Sequence, residues 1–220
     1  MNSELKKRIF TSIALIFLLT LMYLYSFIMI TALIVIALII WIEFYALISK
    51  IIKKNKFKDK FLRFFYKAIS LLYLSLIVYF IFAIESFYPN QKKYLLYAIL
   101  VAILSDIGGL IIGKTFKGKK LTKISPNKTI SGSVGSLVFS MILIPFFYEE
   151  LIEFNFLIMI IITLTISFVS QAGDLFISYM KRKAKVKDTS DILPGHGGFL
   201  DRVDGIIFAI PISLILFNFF

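Results

Sequence analysis

The sequence predicts an all-α, polytopic integral membrane protein of about seven transmembrane helices. Three observations carry that prediction. Hydrophobic residues make up 59% of the 220, and mean hydropathy is +0.89. Apolar stretches of about 20 residues, the length that spans a bilayer, follow one another along the chain. A formal net charge of +12 is gathered into a few short segments between them. A soluble domain of this size buries one core beneath a polar surface and does not combine such apolarity with such charge.

The elements follow in order. Met1 to Arg8 is basic, and the apolar run after it resembles a signal peptide only at its start. No small-x-small cleavage site interrupts the run, so it reads as a retained first span. Ile9 to Ile48 is 40 residues long, too long for one span, and predicts two helices joined by a tight turn near Tyr25-Ser26. Five further spans are expected near 66–84, 94–112, 133–148, 154–172 and 205–220. The whole is one membrane domain, 1–220. Its N-terminal spans and basic loop occupy 1–104, and 105–220 supplies the spans and loops that form the active site.

Orientation follows from the Lys/Arg bias of short loops. With the N-terminus cytoplasmic, 23 of the 25 Lys and Arg residues fall on the cytoplasmic side; only Lys92 and Lys93 do not. The other external loop, Glu149 to Glu153, is acidic. The stretch Lys50–Lys67 interleaves Lys with Phe57, Phe61, Phe64 and Phe65, the pattern of a segment lying against anionic headgroups and not of a nucleic-acid surface. The absence of cysteine excludes disulfides, thiolate metal sites and a cysteine nucleophile.

Polar residues that solvation does not explain lie in two blocks. The first runs from Ser105 to Gly132. Asp106 falls inside an expected span, where an ionisable group is costly and is by default functional. Gly108 to Thr115 satisfies the spacing G-x-x-x-x-G-K-[ST]. A phosphate loop needs a strand before it and a helix start after it, and neither is expected here. These glycines read instead as positions where helices approach closely or bend within the membrane.

The second block runs from Gln171 to Asp204. Helical spacing places Gln171, Asp174, Ser178 and Lys181 on one face, and Asp201 and Asp204, three apart, are expected to point one way. Two carboxylate clusters meeting at the membrane surface suit a hard divalent cation such as Mg²⁺. Pro194-Gly195-His196-Gly197-Gly198 offers backbone N–H groups to a phosphate, with Lys181, Arg182, Lys187 and Arg202 supplying positive charge. His196 is the only histidine.

Taken together, Ser178-x-Met180-Lys181-Arg182, Lys187-Asp188-x-Ser190, Leu193-Pro194-x-His196-Gly197-Gly198 and Asp201-Arg202-Val203-Asp204 resemble the signature of the phosphatidate cytidylyltransferases, or CDP-diacylglycerol synthases. Gln171-Ala172-Gly173-Asp174-Leu175 and Ser125-Pro126-Asn127-Lys128-Thr129 are also similar to that family's pattern. The chain departs from it at Ser131, where relatives have Glu, and at Gly109-Leu110, where they tend to have Ala-Tyr.

The resemblance implies CMP transfer from CTP to phosphatidic acid in phospholipid biosynthesis, giving CDP-diacylglycerol and pyrophosphate. It implies a multi-pass protein of the cell inner (cytoplasmic) membrane with the active site facing the cytoplasm. It implies Mg²⁺, with room for a second, monovalent cation such as K⁺, and a homodimer that binds membrane lipid and no nucleic acid. By resemblance Asp174 and Asp201 are metal ligands, and Asp106, Asp204 and His196 complete the catalytic set. Ser125, Lys128, Thr129, Ser178, Lys181, Arg182, Lys187, Asp188, Gly197, Gly198 and Arg202 bind substrate. Two rival readings remain: a CTP-dependent kinase of a polyprenol-type lipid alcohol, and an ion-coupled transporter.

Overall fold

A computed structural model describes residues 3–53, 56–151, 153–195 and 197–219, with side chains from residue 9 onward. Its order is α1 (Ser3–Leu24), α2 (Ser26–Ile51), α3 (Phe57–Phe87), a 3₁₀ turn (Pro89–Gln91), α4 (Lys92–Phe116), α5 (Ile130–Met141), α6 (Leu143–Phe147), α7 (Phe156–Lys183), α8 (Leu200–Val203) and α9 (Ile206–Phe219). The protein is all-helical. Among the described residues only two isolated bridges, Lys120 with Thr129 and Leu193 with Gly197, have β character.

All seven stretches expected to span coincide with helix. Five are long and apolar enough to cross a membrane: Ser26–Ile51, Phe57–Phe87, Pro89–Phe116, Ile130–Phe147 and Phe156–Lys183. The apolar part of α1, Ile9–Leu24, is shorter, and α9 has 14 residues. The protein is thus a multi-pass membrane protein. The break in the first apolar run falls at Tyr25, whose extended backbone (φ −127°) separates α1 from α2. The basic, aromatic stretch 50–67 is not mainly a loop, because α3 begins at Phe57. Phe57, Phe61, Phe64 and Phe65 are left uncovered by protein, and Lys67 sits over the rings of Trp41 and Tyr45 at 4.8 and 4.7 Å.

The chain forms two compact units, and they do not follow its halves. One comprises residues 1–87 and 180–203, the other 88–179 and 204–220. In the first, α2 packs between α1 and α3 and also meets α8.

In the second unit α4 packs most extensively on α5 and also on α9. The α4–α5 seam explains the glycines. A Cβ on Gly108 would lie 2.7 Å from the Gly135 carbonyl oxygen, and one on Gly132 would lie 2.7 Å from the Gly109 carbonyl oxygen. The Walker-like stretch is therefore helix within a close-packed pair, and its glycines are spacers, as small residues are between membrane helices. Tyr97, fully buried, shares a 2.5 Å hydrogen bond with Thr163, and Ser105 shares one of 2.9 Å with Ser167. These bonds tie α4 to α7 where water cannot satisfy the hydroxyls. The ring of Tyr94 stacks on Phe217 at 4.5 Å, closing the core against α9.

Candidate active site

In the second unit the segment between α4 and α5 doubles back. Leu121 N–H donates to the Lys128 carbonyl (2.8 Å) and Ile130 N–H to that of Lys119 (3.0 Å). Lys128 N–H closes a turn on Ser125 (3.0 Å). This return delivers the Lys128 ammonium to Asp174, with which it forms an ion pair. Ser178, one turn further along α7, donates to Asp174 Oδ1 over a long 3.3 Å. Asp106 on α4 lies within electrostatic range of both Asp174 and Lys128 and is partly exposed. Asp106, Lys128, Asp174 and Ser178, singled out from sequence, are thus gathered in one cluster. Its Lys and Asp side chains keep 27% and 22% of their surface open.

Thr129 has a more local task. It is the N-cap of α5 and its hydroxyl accepts from Gly132 N–H at 3.0 Å, meeting one of the donors a helix start leaves unpaired. Ser131, where relatives have Glu, shares a 3.0 Å hydrogen bond with the Thr129 hydroxyl and donates to the Lys117 carbonyl. Asp204 is buried and accepts from the N–H of Gly205 at 2.9 Å. Its backbone carbonyl crowds Gly173, where a Cβ would lie 2.8 Å away.

In the first unit α7 ends in a reversal. Val186 N–H donates to the Lys181 carbonyl (3.0 Å) and Lys185 N–H to that of Arg182 (3.1 Å), with Lys185 at φ 59°. This is the Schellman pattern, built on Lys where Gly is usual. The returning chain brings Asp201 to Lys181, 2.5 Å from Nζ to Oδ1. Asp201 Oδ2 accepts from Thr189 N–H (2.8 Å), the Thr189 hydroxyl (2.9 Å) and Gly198 N–H (3.1 Å). Burial works against the charged form, yet the Lys181 bond and the two backbone N–H groups outweigh it and hold Asp201 below the usual carboxylate range.

Of the N–H groups in the stretch 194–198 expected to await a phosphate, that of Gly198 is already bonded within the protein. Gly198 N–H is taken by Asp201, and those of Phe199 and Leu200 donate to Glu43 of α2 at 3.1 and 2.8 Å. Gly195 and Gly197 adopt φ of 75° and 81°, which glycine tolerates without a Cβ penalty. His196 lies outside the described residues. Arg182, Lys187, Asp188 and Arg202 are exposed.

Glu43 is the residue that the sequence reading passes over. It is 2% exposed and accepts from the hydroxyls of Thr189 (3.0 Å) and Ser190 (2.5 Å) as well as the two N–H groups. It is the one charged residue in the run Ile9 to Ile48, and an ionisable group inside a span is itself a signal.

Among the described residues no three acidic or histidine side chains gather closely enough to hold a metal ion. The donor chemistry nonetheless suits a hard cation in the more open cluster. Asp174 and Asp106 offer carboxylate oxygens, and Mg²⁺ typically takes one or two carboxylates and completes its shell with water and substrate phosphates.

Comparison with known proteins decides the family. The pattern of the cytidylyltransferase family matches residues 1–220. The chain belongs to that family. It is 37% identical over 181 residues to a phosphatidate cytidylyltransferase of Staphylococcus haemolyticus, a match covering 81% of this chain and 67% of the relative. A phosphatidate cytidylyltransferase of Staphylococcus aureus is 43% identical over 136 residues, covering 59% of this chain and 52% of the relative. One of Bacillus subtilis is 34% identical over 151 residues, covering 68% and 56%. The cytidylyltransferase chain therefore spans between about half and two thirds of the length of these relatives.

Proposed function

We propose that the chain is a phosphatidate cytidylyltransferase, which joins CTP and phosphatidate to give CDP-diacylglycerol and pyrophosphate. The observation that carries this reading is the family match along all 220 residues, and the two acid–lysine clusters give it a chemical basis. A phosphatidate oxygen, anionic near neutral pH, attacks the α-phosphorus of CTP and forms a new P–O bond. The bond from that phosphorus to the oxygen bridging the β-phosphate breaks, and pyrophosphate departs with the electron pair. No strong base is required. The demand is for alignment and for positive charge around the phosphates.

Lys128 answers that demand in the open cluster, and exposed Arg182, Lys187 and Arg202 answer it near the end of α7. Asp174, with Asp106 nearby, is our proposed seat for a divalent cation, Mg²⁺ by donor type; when bound it supplies neutralisation of phosphate charge. Asp201 is proposed as the second essential carboxylate, with Lys181 its counter-ion. The Lys/Arg bias supports a cytoplasmic site. Because the chain has no cysteine, single cysteines introduced at residues 92 and 187 should react with an impermeant thiol reagent from opposite sides of the membrane.

The deciding assay uses purified protein, Mg²⁺, phosphatidate and CTP labelled in the cytidine. Label appearing in the lipid product is the expected result. Transfer of the γ-phosphate alone, or transfer only to a lipid alcohol, would instead assign a CTP-dependent kinase.

A further inference from the structure

We infer that Glu43 is a positioning residue, whose buried carboxylate on α2 fixes the loop 189–200 and so sets the orientation of Asp201. The inference rests on the reading of Asp201 as an essential carboxylate. Glu43 Oε1 accepts from the Ser190 hydroxyl (2.5 Å) and Phe199 N–H (3.1 Å), and Oε2 accepts from the Thr189 hydroxyl (3.0 Å) and Leu200 N–H (2.8 Å). A carboxylate offers about four lone-pair directions, so these four donors leave no acceptor capacity for a substrate or a metal. Glu43 therefore acts through the loop and not on the reacting atoms.

The link to Asp201 is short. The Thr189 hydroxyl lies 3.0 Å from Glu43 Oε2 and 2.9 Å from Asp201 Oδ2. It carries one proton, so the two carboxylates share one donor, and Thr189 N–H gives Asp201 a second bond at 2.8 Å. On the other side, Gly198 N–H holds Asp201 while the next two N–H groups hold Glu43. Side-chain space leads to the same conclusion. A Cβ on Gly198 would fall 2.7 Å from both Glu43 oxygens and collide with the Thr189 hydroxyl. Gly198 is glycine because the carboxylate lies against it.

Removing Glu43 takes the acceptor from two backbone N–H groups and the Ser190 hydroxyl and leaves the Thr189 hydroxyl to Asp201 alone, a penalty the loop relieves only by moving. The test uses the full-length chain with Leu193, 8% exposed, changed to cysteine as the only thiol. Loop order is read as its alkylation rate, and chemistry as kcat and KM for CTP and phosphatidate. Glu43→Gln should lower kcat by about 100-fold, the scale of a small misplacement at a reacting centre. KM for phosphatidate should stay unchanged, and alkylation at residue 193 should become faster. Glu43→Asp, which keeps the charge, should recover part of both.

Unchanged kcat with slow alkylation would overturn the proposal, and so would lost kcat with alkylation as slow as in the parent. If Glu43→Gln is not recovered from membranes, Thr189→Val decides, with about a tenfold loss of kcat expected and faster alkylation; parental values for both would refute it. A parent that makes no CDP-diacylglycerol sinks the functional reading instead, and the alkylation rates alone then judge Glu43.

Discussion

Two acid–lysine pairs in this protein look alike on paper and differ in how much freedom they keep. Lys181 and Asp201 are 12% and 5% exposed, and Asp201 receives three more hydrogen bonds besides the lysine. Lys128 and Asp174 are 27% and 22% exposed, and apart from the lysine Asp174 has one long hydrogen bond from Ser178. The first carboxylate is committed to holding a loop in place. The second has oxygens to offer.

The comparison can be broken by experiment. The largest effect is expected from Asp201→Asn. Turnover should fall by about 10³-fold or more, because the change removes both the charge and the loop's organiser. Leaving Lys181 largely buried without its partner should cost about 3 kcal/mol. Labelled-CTP turnover and thermal unfolding in detergent measure the two losses, and full activity in this variant would remove Asp201 from the site.

Asp174→Asn should lower turnover by about 100-fold, with a stability loss of only about 1 kcal/mol, since its pair is partly open to solvent. Equal stability losses in the two variants would erase the distinction drawn above. The third test is pH. The native Asp201 carboxyl lies below its ordinary range, so the unfolded chain binds this proton more readily than the folded one. The stability gap between parent and Asp201→Asn should then be constant from about pH 8 to pH 5 and shrink as pH falls below about 4. A gap that closes between pH 7 and 6 would contradict the arrangement. The smallest effect is expected from Arg182→Ala. Arg182 is exposed and reaches the Val186 carbonyl at 3.4 Å, so stability should change by less than about 0.5 kcal/mol and any loss should lie in KM for CTP.

Much of the helical layout was legible because membrane spans are written in local composition. The length of the first apolar run placed the break near Tyr25, helical spacing put Gln171, Asp174 and Ser178 on one helix, and motif context turned the Walker-like glycines into spacers. Glu43 escaped because its partners lie far off in the chain: Thr189 is 146 residues away, and no local pattern announces such a contact. The bond held by Gly198 was hidden for a related reason. Glycine spacing advertises free N–H groups, but whether a buried carboxylate already holds them is a tertiary matter. Thr129, a substrate contact by resemblance, also caps a helix start, and Ser131, where the chain departs from the family's pattern, bonds to it.

The seam between α4 and α5 has a consequence for how the protein enters the membrane. The span Ile130–Phe147 has the lowest mean hydropathy of the five, 1.9 against 2.7 for Ser26–Ile51, and at 18 residues it is the shortest. It carries Ser131, Ser133, Ser136 and Ser140 along with Gly132 and Gly135, a weak case for partitioning into lipid unaided. Held against α4, Gly132, Gly135 and Ser136 become contact surface. The α4 surface is thus expected to favour the integration of its successor, and enlarging Gly108 should show itself first as a chain whose fifth helix fails to integrate.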